Sequence, residues 1–400
     1  MLGNVGVWPG RGASAQAQGG GPGFAGAMAP RFEPDPSWPK PLPEGTAWPE
    51  ITRAATSVAV DSRDHVWIFQ VLSPAARQAE ATGTAVPRLF EFDTAGNLVR
   101  AWGGPGKDYQ WMEALVPNPI WPAGTPPEHG MFIDHEDNVW VTGNGHVALK
   151  FSRDGKFLLQ IGELWKTNGS NDRRLLGNPC ELTVEPATNE LYIADGYINR
   201  RIIVFDAETG AYKRHWGAYG KRPADLQLLK EKDGLIANPA EFYLPGGPPQ
   251  PQWLGVHCVR VSRDGLVYVC DRSRNRIQVF RRNGTFVREI YVAADTSVEL
   301  GFIPGARGAG FGAPSTIAFS PDPDQRYLYL GDNMNAKIWI FRRRDLQLLG
   351  SLPTKVRANH YLTVDSKGNI YNSGLQKFVF KGVPSVNELL KRPASASAGS

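Results

Sequence analysis

The chain has 400 residues and a formal net charge of +5, and no basic run is longer than Arg342-Arg343-Arg344. This even spread of charge argues against nucleic acid as a partner, because nucleic-acid-binding surfaces show clustered Lys and Arg. No uninterrupted apolar run approaches the length of a membrane span. Glycine (44) and proline (32) are plentiful, which favours many short strands and turns. A chain of this length can form two or three ordinary domains or one large all-β domain.

The first thirty residues carry one charged side chain, Arg11, and show no strand or helix periodicity. Their segment ASAQAQ contains the small-x-small pattern of a signal-peptidase site, so this part is either a signal-peptide remnant or a disordered leader. The C-terminal residues, ending in KRPASASAGS, are of low complexity. The sequence therefore predicts a leader at 1–30, one folded domain at 31–385 and a disordered tail at 386–400. It also predicts export to the periplasm or the extracellular space.

Beyond the leader, one double hairpin recurs along the chain. In chain order its copies begin TSVAVDSRDHVWIFQ, HGMFIDHEDNVWVTG, CELTVEPATNELYIADG, HCVRVSRDGLVYVCD, STIAFSPDPDQRYLYLGD and HYLTVDSKGNIYNSG. Each copy holds four short strands, which is the unit of a propeller blade, but the last copy stops one strand short. The sequence therefore predicts an all-β, six-bladed β-propeller. We expect the segment after Pro30 to complete the last blade, because closure removes two exposed sheet edges. A seven-bladed ring or an open array is the alternative, but the sequence contains no seventh copy.

Four long inserts, at 103–128, 163–179, 218–256 and 293–314, each join the last strand of one blade to the first strand of the next. Loops of this length inside a compact domain usually cover or build a site, so we expect long loops over one face. Aromatic residues in them, such as Trp111 and Trp253, are candidates for the walls of a ligand pocket.

Histidine recurs at one position of the repeat. Five residues before the turn that ends the first strand, the six copies carry, in order, Thr56, His129, Cys180, His257, Ser315 and His360. The three histidines belong to alternate blades, and first strands line the central channel of a propeller, so three imidazoles should converge on the axis. Three nitrogen ligands with a fourth position open are typical of a catalytic zinc site. Iron and copper are alternatives, because imidazole also binds these metals.

Four further residues of the third and fourth copies are candidates for roles near this site. Cys180 takes the histidine position in the third blade and is expected to pack in the channel, and Glu181 beside it is a candidate base. Cys258 and Cys270 are equidistant from the turn in CVRVSRDGLVYVC and should face each other across a hairpin. They are either a cross-strand disulfide in an exported protein or two reduced core thiols.

The recurrent pattern resembles NHL repeats. The three blade-start histidines, together with ADGYINRRIIVF and CDRSRNRIQVF, resemble the peptidyl-α-hydroxyglycine α-amidating lyases. The resemblance implies that His129, His257 and His360 hold a zinc ion and that a structural calcium ion ties the channel together. It also implies Tyr197 as the catalytic tyrosine and Arg272 as an arginine near a substrate carboxylate. The implied reaction breaks the N–C bond of a carbinolamide and releases an amide and glyoxylate.

The chain departs from that family at several positions. Where the family has an essential arginine after the second strand of the first blade, this chain reads Phe69-Gln70-Val71. Arg53, upstream in the same blade, is a candidate replacement. The aspartate that follows the last metal histidine in the family is Tyr361 here. The resemblance therefore extends to the metal site more firmly than to the substrate.

The sequence is consistent with two classes of function. The first is a metal-dependent lyase or hydrolase acting on a small organic or peptide-derived substrate. The second is a non-catalytic NHL-type propeller that binds a peptide, a glycan or a protein, because a propeller scaffold does not by itself specify chemistry. The sequence leaves the oligomeric state open.

Overall fold

The computed structural model describes residues 29–42, 55–72, 74–112, 128–143, 145–225, 227–231, 234–237, 248–296, 312–355 and 358–384. These residues form six four-stranded antiparallel sheets and one short separate hairpin. The predicted six-bladed β-propeller is confirmed. The predicted leader falls outside the described residues except at its last two positions, and the predicted tail falls wholly outside them.

Each blade is one meander of four strands, numbered here in chain order. Blade 1 contains β2 (Ala55–Val60), β3 (Val66–Gln70), β4 (Leu89–Phe92) and β5 (Leu98–Trp102). Blade 2 contains β6 (Glu128–Ile133), β7 (Val139–Gly143), β8 (Val147–Phe151) and β9 (Phe157–Gly162). Blade 3 contains β10 (Pro179–Glu185), β11 (Glu190–Asp195), β12 (Arg201–Asp206) and β13 (Tyr212–Trp216).

The second half of the ring repeats this order. Blade 4 contains β16 (Val256–Val261), β17 (Leu266–Asp271), β18 (Arg276–Arg281) and β19 (Phe286–Tyr291). Blade 5 contains β20 (Pro314–Phe319), β21 (Tyr327–Asp332), β22 (Lys337–Arg342) and β23 (Gln347–Pro353). Blade 6 contains β24 (Leu362–Val364), β25 (Ile370–Asn372), β26 (Gln376–Phe380) and the N-terminal β1 (Phe32–Asp35).

Few of the elements formed by the described residues lie outside the blades. Helix α1 (Pro74–Ala81) joins β3 to β4, and two 3-10 turns span Ala218–Gly220 and Arg272–Arg274. The separate hairpin, β14 (Leu228–Glu231) with β15 (Gly234–Ala237), lies in the insert before blade 4. Among the described residues, no helix has the length and apolarity that crossing a membrane requires.

An aspartate at the first turn of a blade explains much of the repeated sequence. In blade 2 one carboxylate oxygen of Asp134 accepts hydrogen bonds from the backbone N–H groups of Glu136 and Asn138, at 3.0 and 2.9 Å. Its other oxygen accepts the indole N–H of Trp140 at 2.9 Å. Such a side-chain bond to the backbone two residues on favours a turn over continued strand. Asp61 with Trp67, and Asp365 with Tyr371, repeat the arrangement in blades 1 and 6.

The hydrophobic core is divided among the joints between blades. Each of the six main clusters of buried apolar residues draws on two adjacent blades, as in the joint of blades 1 and 2 with Phe69, Leu89, Met131 and Val141. The innermost strands of neighbouring blades contact one another around the axis. A blade therefore buries its apolar surface only against its neighbours, so the fold requires a complete ring.

The ring closes as the sequence predicted, because β1 pairs with β26 in the register Phe32↔Phe380 to Asp35↔Lys377. Just beyond β1, the Trp38 ring lies between the two ends of the ring. Its centroid is 4.9 Å from that of Tyr371 in blade 6 and 6.4 Å from that of Phe92 in blade 1. The Trp38 side chain therefore packs against both the first and the last blade where the ring closes.

Replacing Trp38 with alanine is expected to lower the free energy of unfolding by about 3–5 kcal/mol, because it leaves a cavity at the joint of the first and last blades. Urea unfolding followed by tryptophan fluorescence measures the change. Val99→Ala, at a side chain that is 45% exposed, is the control and should stay within about 0.5 kcal/mol of the parent. Equal stability of the Trp38 and Val99 variants would show that the Trp38 contacts do not stabilise the closed ring.

Candidate metal centre on the propeller axis

A β-bulge lies at the start of the innermost strand in blades 1 to 5. In blades 1, 3, 4 and 5 the strand register skips one residue, at Thr56, Cys180, His257 and Ser315. In blade 2 it skips at His129 and Gly130, and in blade 6 His360 lies just before β24. A bulged residue is unpaired in the ladder and its side chain is re-aimed. The repeat position identified from the sequence is thus the bulge position.

The structure brings the three predicted histidines together. The centroids of their rings are 5.1 Å apart for His129 and His257, 4.8 Å for His129 and His360, and 4.7 Å for His257 and His360. One ligand nitrogen from each lies within 4.8 Å of the others. His129 and His257 are buried and His360 is partly exposed.

Each imidazole is oriented by the bulge carbonyl of the following blade. The Nδ1–H of His129 donates to the carbonyl oxygen of Cys180 at 2.9 Å, and that of His257 donates to Ser315 at 2.5 Å. The Nδ1–H of His360 donates to Thr56 at 3.1 Å. Because a carbonyl only accepts, these bonds assign the proton to Nδ1 and leave Nε2 with a free lone pair. Such a second partner is what fixes the tautomer of a metal-binding histidine.

The Nε2 lone pairs face one another. The Nε2 atoms of His257 and His360 are 3.0 Å apart, although both protons are committed to Nδ1. Burial lowers the pKa of His129 to about 4, against the bond to Cys180, and the charge of Arg272 lowers it further. Burial also lowers the pKa values of His257 and His360 well below the ordinary value. Neutral imidazoles with converging lone pairs fit a shared cation, so the residues present suit a transition-metal ion.

Tyr197 adjoins this cluster, as the resemblance implies. It lies in the turn after β11, and its Oη is 3.0 Å from the Nε2 of His129. Desolvation raises the pKa of Tyr197 above that of an ordinary tyrosine, as does the charge of Cys180, while a hydrogen bond from Arg272 acts in the opposite direction. The phenol is therefore protonated at neutral pH in the metal-free molecule. Its hydroxyl donates to the one nitrogen of His129 that can accept.

Arg272 lies in the equivalent turn of blade 4, immediately after β17, and is buried. Burial lowers the pKa of its guanidinium, while Tyr197, Cys180, Tyr361 and Asp332 raise it through their charges. Arg272 is hydrogen-bonded to Tyr197, and its positive charge lowers the pKa values of all three histidines. A metal ion beside it would create a strongly cationic cavity, and such a cavity favours an anionic ligand.

Buried aspartates hold the turns that carry Tyr197 and Arg272. Asp195 accepts the Nε–H of Arg201 at 2.9 Å and the backbone N–H of Gly177 at 2.7 Å. Asp271 accepts the Nε–H of Arg276 at 2.9 Å and the backbone N–H of Leu254 at 3.0 Å. Each carboxylate thus connects the end of a strand, the turn after it and the preceding insert. Loss of one partner would leave a buried charge unpaired, which typically costs about 3–5 kcal/mol.

Glu181, the candidate base, lies away from the three histidines. Its Oε1 is 2.7 Å from an Arg260 nitrogen and accepts the hydroxyl of Thr316 at 3.3 Å, while its Oε2 accepts the backbone N–H of Val259 at 3.0 Å. Burial raises its pKa to about 7, against the three donors. The ionised carboxylate is the form that accepts from all three. Cys180 packs in the channel as expected, with its carbonyl rather than its thiol facing His129.

The other residues that the sequence suggested for the site do not form it. Trp111 and Trp253 are buried in the joints between blades, so they are core residues rather than pocket walls. Gln70, at the family's arginine position, is buried and donates to Pro87. Nearby Arg88 is bonded to Glu128, to Glu80 and to the carbonyl of Val86, so it does not provide a free substrate clamp. Arg53 lies outside the described residues.

Of the two alternatives for Cys258 and Cys270, a disulfide or two thiols, the structure contains the disulfide. Cys258 and Cys270 are bonded and pair directly across β16 and β17. The bond is adjacent to His257 in one strand and two residues from Arg272 in the other. It therefore links the strand that carries a histidine of the cluster to the strand that leads into the arginine turn.

A second group of candidate ligands, Asp61, His65 and Glu91, lies at the far end of blade 1. The His65 Nδ1 is 2.6 Å from Glu91, and Arg100 and Arg153 also pair with that carboxylate. Arg153 reaches Asp61 as well. With guanidinium groups already balancing the two carboxylates, this group is an inter-blade ion-pair network and offers little to a cation.

Tyr361 is the residue at the site whose contact the sequence did not predict. Its hydroxyl is 2.6 Å from the carbonyl oxygen of Cys180 and 2.8 Å from the Nδ1 of His129. The sequence marked it only as a departure from the family pattern. The position next to the last histidine is a signal that it faces the cluster, but its partners come from blades 2 and 3, more than 180 residues earlier.

Comparison with known proteins supports the repeat assignment and the resemblance. The NHL repeat family matches residues 255–280, which contain the first two strands of blade 4 and all but the last residue of its third. A peptidyl-glycine alpha-amidating monooxygenase B from Xenopus laevis is 28% identical over 165 residues, which is 40% of this chain and 16% of that protein. The chain thus matches only about a sixth of the length of such relatives.

Two further relatives match over more of the chain. Peptidyl-alpha-hydroxyglycine alpha-amidating lyase 1 from Drosophila melanogaster is 23% identical over 321 residues, covering 68% of this chain and 50% of the lyase. NHL repeat-containing protein 3 from Mus musculus is 26% identical over 265 residues, covering 64% of this chain and 58% of that protein. Amidating lyases and an NHL-repeat protein of a different name are therefore both similar to this chain.

Gly130 offers a test of the bulge geometry. A Cβ at this position would lie 2.1 Å from the carbonyl oxygen of Cys180, which orients His129. Gly130→Ala is therefore expected to displace that carbonyl and to weaken zinc binding by about 10–100-fold, the usual effect of losing an outer partner of a ligand. A competition titration against a chromophoric chelator measures it.

The control is Gly350→Ala, where the nearest atom to an added Cβ is 3.7 Å away. This variant should bind zinc as the parent does. If a folded Gly130→Ala protein also binds zinc with the parent's affinity, the bulge carbonyl does not orient the ligand.

Proposed function

We propose, on the premise that this chain is an NHL-repeat six-bladed β-propeller resembling the amidating lyases, that it is a metal-dependent lyase or hydrolase. Its substrate would be a small organic or peptide-derived molecule bound on the propeller axis. The observation that carries the proposal is the convergence of three neutral imidazoles, with the Nε2 atoms of His257 and His360 3.0 Å apart and no proton between them. Zinc is the first candidate metal, and iron or copper would suit the same ligands.

In this proposal His129, His257 and His360 hold the metal through Nε2, with each Nδ1 anchored to a backbone carbonyl. When bound, the ion would polarise a substrate oxygen and lower the pKa of its proton. The remaining work falls to the protein's own side chains. The tyrosine hydroxyl at 3.0 Å from His129 is placed to exchange a proton with a substrate atom at the open position.

Arg272 supplies the charge that selects the substrate. It is buried next to Tyr197, so a carboxylate that reaches the cluster would meet a guanidinium in a water-poor setting, where the pairing is strong. In carbinolamide cleavage the hydroxyl loses its proton, the new C=O forms, the C–N bond breaks and the nitrogen takes up a proton. The products are an amide and glyoxylate. Ester, lactone or amide hydrolysis at the same site is the related alternative.

A non-catalytic role is the second candidate, favoured by the relative that is not named an enzyme. NHL repeat-containing protein 3 matches 64% of this chain, a share similar to the 68% matched by the Drosophila lyase. In that case the chain would bind a peptide, a glycan or a protein. The buried disulfide is typical of proteins in oxidising compartments, and it supports a proposed export of this chain.

Metal content tests the axial site. Purified protein reconstituted with zinc should hold one ion per chain, and His129→Ala, His257→Ala and His360→Ala should each reduce that content because three-coordinate binding is lost. Elemental mass spectrometry on desalted protein provides the measurement. His135→Ala, at an exposed histidine of the neighbouring turn, is the matched control and should retain the ion. Retention of the metal by the three axial variants would place it elsewhere.

Turnover tests the chemistry. The metal-loaded protein is incubated with α-hydroxyglycine amides, with small esters and with lactones, and glyoxylate or acid release is followed. Tyr197→Phe removes only the hydroxyl, so kcat is expected to fall by about 10²–10⁴-fold while the metal content stays constant. Unchanged kcat in this variant would remove Tyr197 from the mechanism. Absence of turnover with every substrate class would favour the binding function.

A further inference from the structure

We infer that side chains, and not a calcium ion, tie the innermost strands together across the axis below the three histidines. The residues concerned are Tyr361, Glu181 and Arg260, which are called here the axial clamp. Family resemblance implies a structural calcium ion in the channel, but the donors at this level of the chain do not fit one. This inference is independent of the proposed catalytic function.

The first part of the clamp is the Tyr361 hydroxyl. It donates to the carbonyl oxygen of Cys180 at 2.6 Å and lies 2.8 Å from the Nδ1 of His129. The same carbonyl oxygen accepts the hydroxyl of Thr142 at 3.0 Å. One fully buried phenol of blade 6 therefore connects to blades 2 and 3 across the channel. The carbonyl oxygen of Cys180, which could otherwise bind a cation, already accepts hydrogen bonds from Tyr361, Thr142 and His129.

The second part is the ion pair between blades 3 and 4. An Arg260 nitrogen lies 2.7 Å from the Oε1 of Glu181, and another donates to the carbonyl of Leu182 at 3.1 Å. The guanidinium also lies over the Phe132 ring of blade 2, with its carbon 5.4 Å from the ring centroid. Thr316 of blade 5 donates to the same carboxylate. This cation therefore contacts blades 2, 3 and 4, and its counter-ion reaches blade 5.

Calcium requires a different set of donors. It binds six to eight oxygen atoms at about 2.3–2.6 Å, usually with several carboxylates among them. At this level the channel offers Glu181, whose two oxygens already accept bonds from Arg260, Thr316 and the backbone of Val259. A divalent ion there would have to displace a guanidinium and would be repelled by it. Arg260 thus supplies the positive charge that balances the Glu181 carboxylate, which a calcium ion would otherwise have to supply.

The channel beyond the clamp is no better suited to calcium. A cavity of about 170 Å³ lies there, bordered by the innermost strands of blades 1, 2, 4, 5 and 6. Its lining includes Val58, Phe132, Ala318 and Leu362, and none of its described lining residues is acidic. A cavity that lacks carboxylates and is bordered by the Arg260 cation is poorly suited to a hard cation. The cationic clamp therefore separates two regions of the channel, the histidine cluster and a cavity whose described lining residues include no carboxylate.

Ion replacement on the full-length protein tests the inference. All divalent ions are stripped with EDTA, and the thermal midpoint is measured after adding back calcium alone, zinc alone, or both. We expect the stripped protein to unfold cooperatively, calcium at millimolar concentration to leave the midpoint unchanged, and zinc binding to be the same with and without calcium. Calcium at one ion per purified chain, or a saturating rise of the midpoint with calcium, would overturn the inference. The zinc arm reports separately on the proposed function.

Variants test the clamp itself. Arg260→Gln should lower the thermal midpoint, and the double variant Glu181→Gln/Arg260→Gln should lose less than the sum of the two single variants, because the pair acts as a unit. Arg282→Gln is the matched control: it removes another arginine that joins blades 4 and 3, through Glu185, but that arginine is 38% exposed. A loss in Arg260→Gln no larger than in this control would rule out the clamp. The calcium titration stays decisive if a variant fails to fold.

Discussion

Six blades can surround a common axis only if the ring closes, and closure depends on the pairing of β1 with β26. This pairing joins residues 32–35 to residues 377–380, almost the full length of the chain apart. Each core cluster lies between two blades, so an open ring would leave the facing surfaces of blades 1 and 6 in water. Trp38 and Tyr361 both belong to that last cluster. Because Tyr361 also contacts His129, the closing joint and the axial site share a residue.

The axial site is a product of neighbouring blades rather than of any single one. His129 and His257 come from bulges and His360 lies just before β24, and the carbonyl that orients each histidine comes from the bulge of the next blade. This explains why the alternate positions carry the smaller residues Thr56, Cys180 and Ser315. Their contribution is a backbone oxygen, and a larger side chain there would compete for the space on the axis. Ring closure is thus a condition for orienting the ligands, since His360 is held by a carbonyl of blade 1.

Charge in the channel is arranged in two levels. The upper level holds three neutral imidazoles beside Arg272, and the lower level holds Arg260 paired with Glu181. In a buried setting charges interact strongly, so an added divalent ion would sit among cations and would favour an anionic partner. The upper level can accept such an ion because its ligands are neutral. At the lower level the charge of Glu181 is already balanced by Arg260. The channel can therefore hold a metal ion at the histidines without also holding calcium below them.

The sequence alone determined the blade count, the closing segment and the three histidines, because repeats and their phase are properties of local order. It also singled out Tyr197 and Arg272 through resemblance, and both lie at the cluster. It could not decide the role of Glu181, the core positions of Trp111 and Trp253, or the contacts of Tyr361, because each depends on which side chains from other blades face it. Nor could it choose between thiols and a disulfide for Cys258 and Cys270. Those outcomes were decided by tertiary structure, since a bulge re-aims side chains and ring closure selects their partners across the axis.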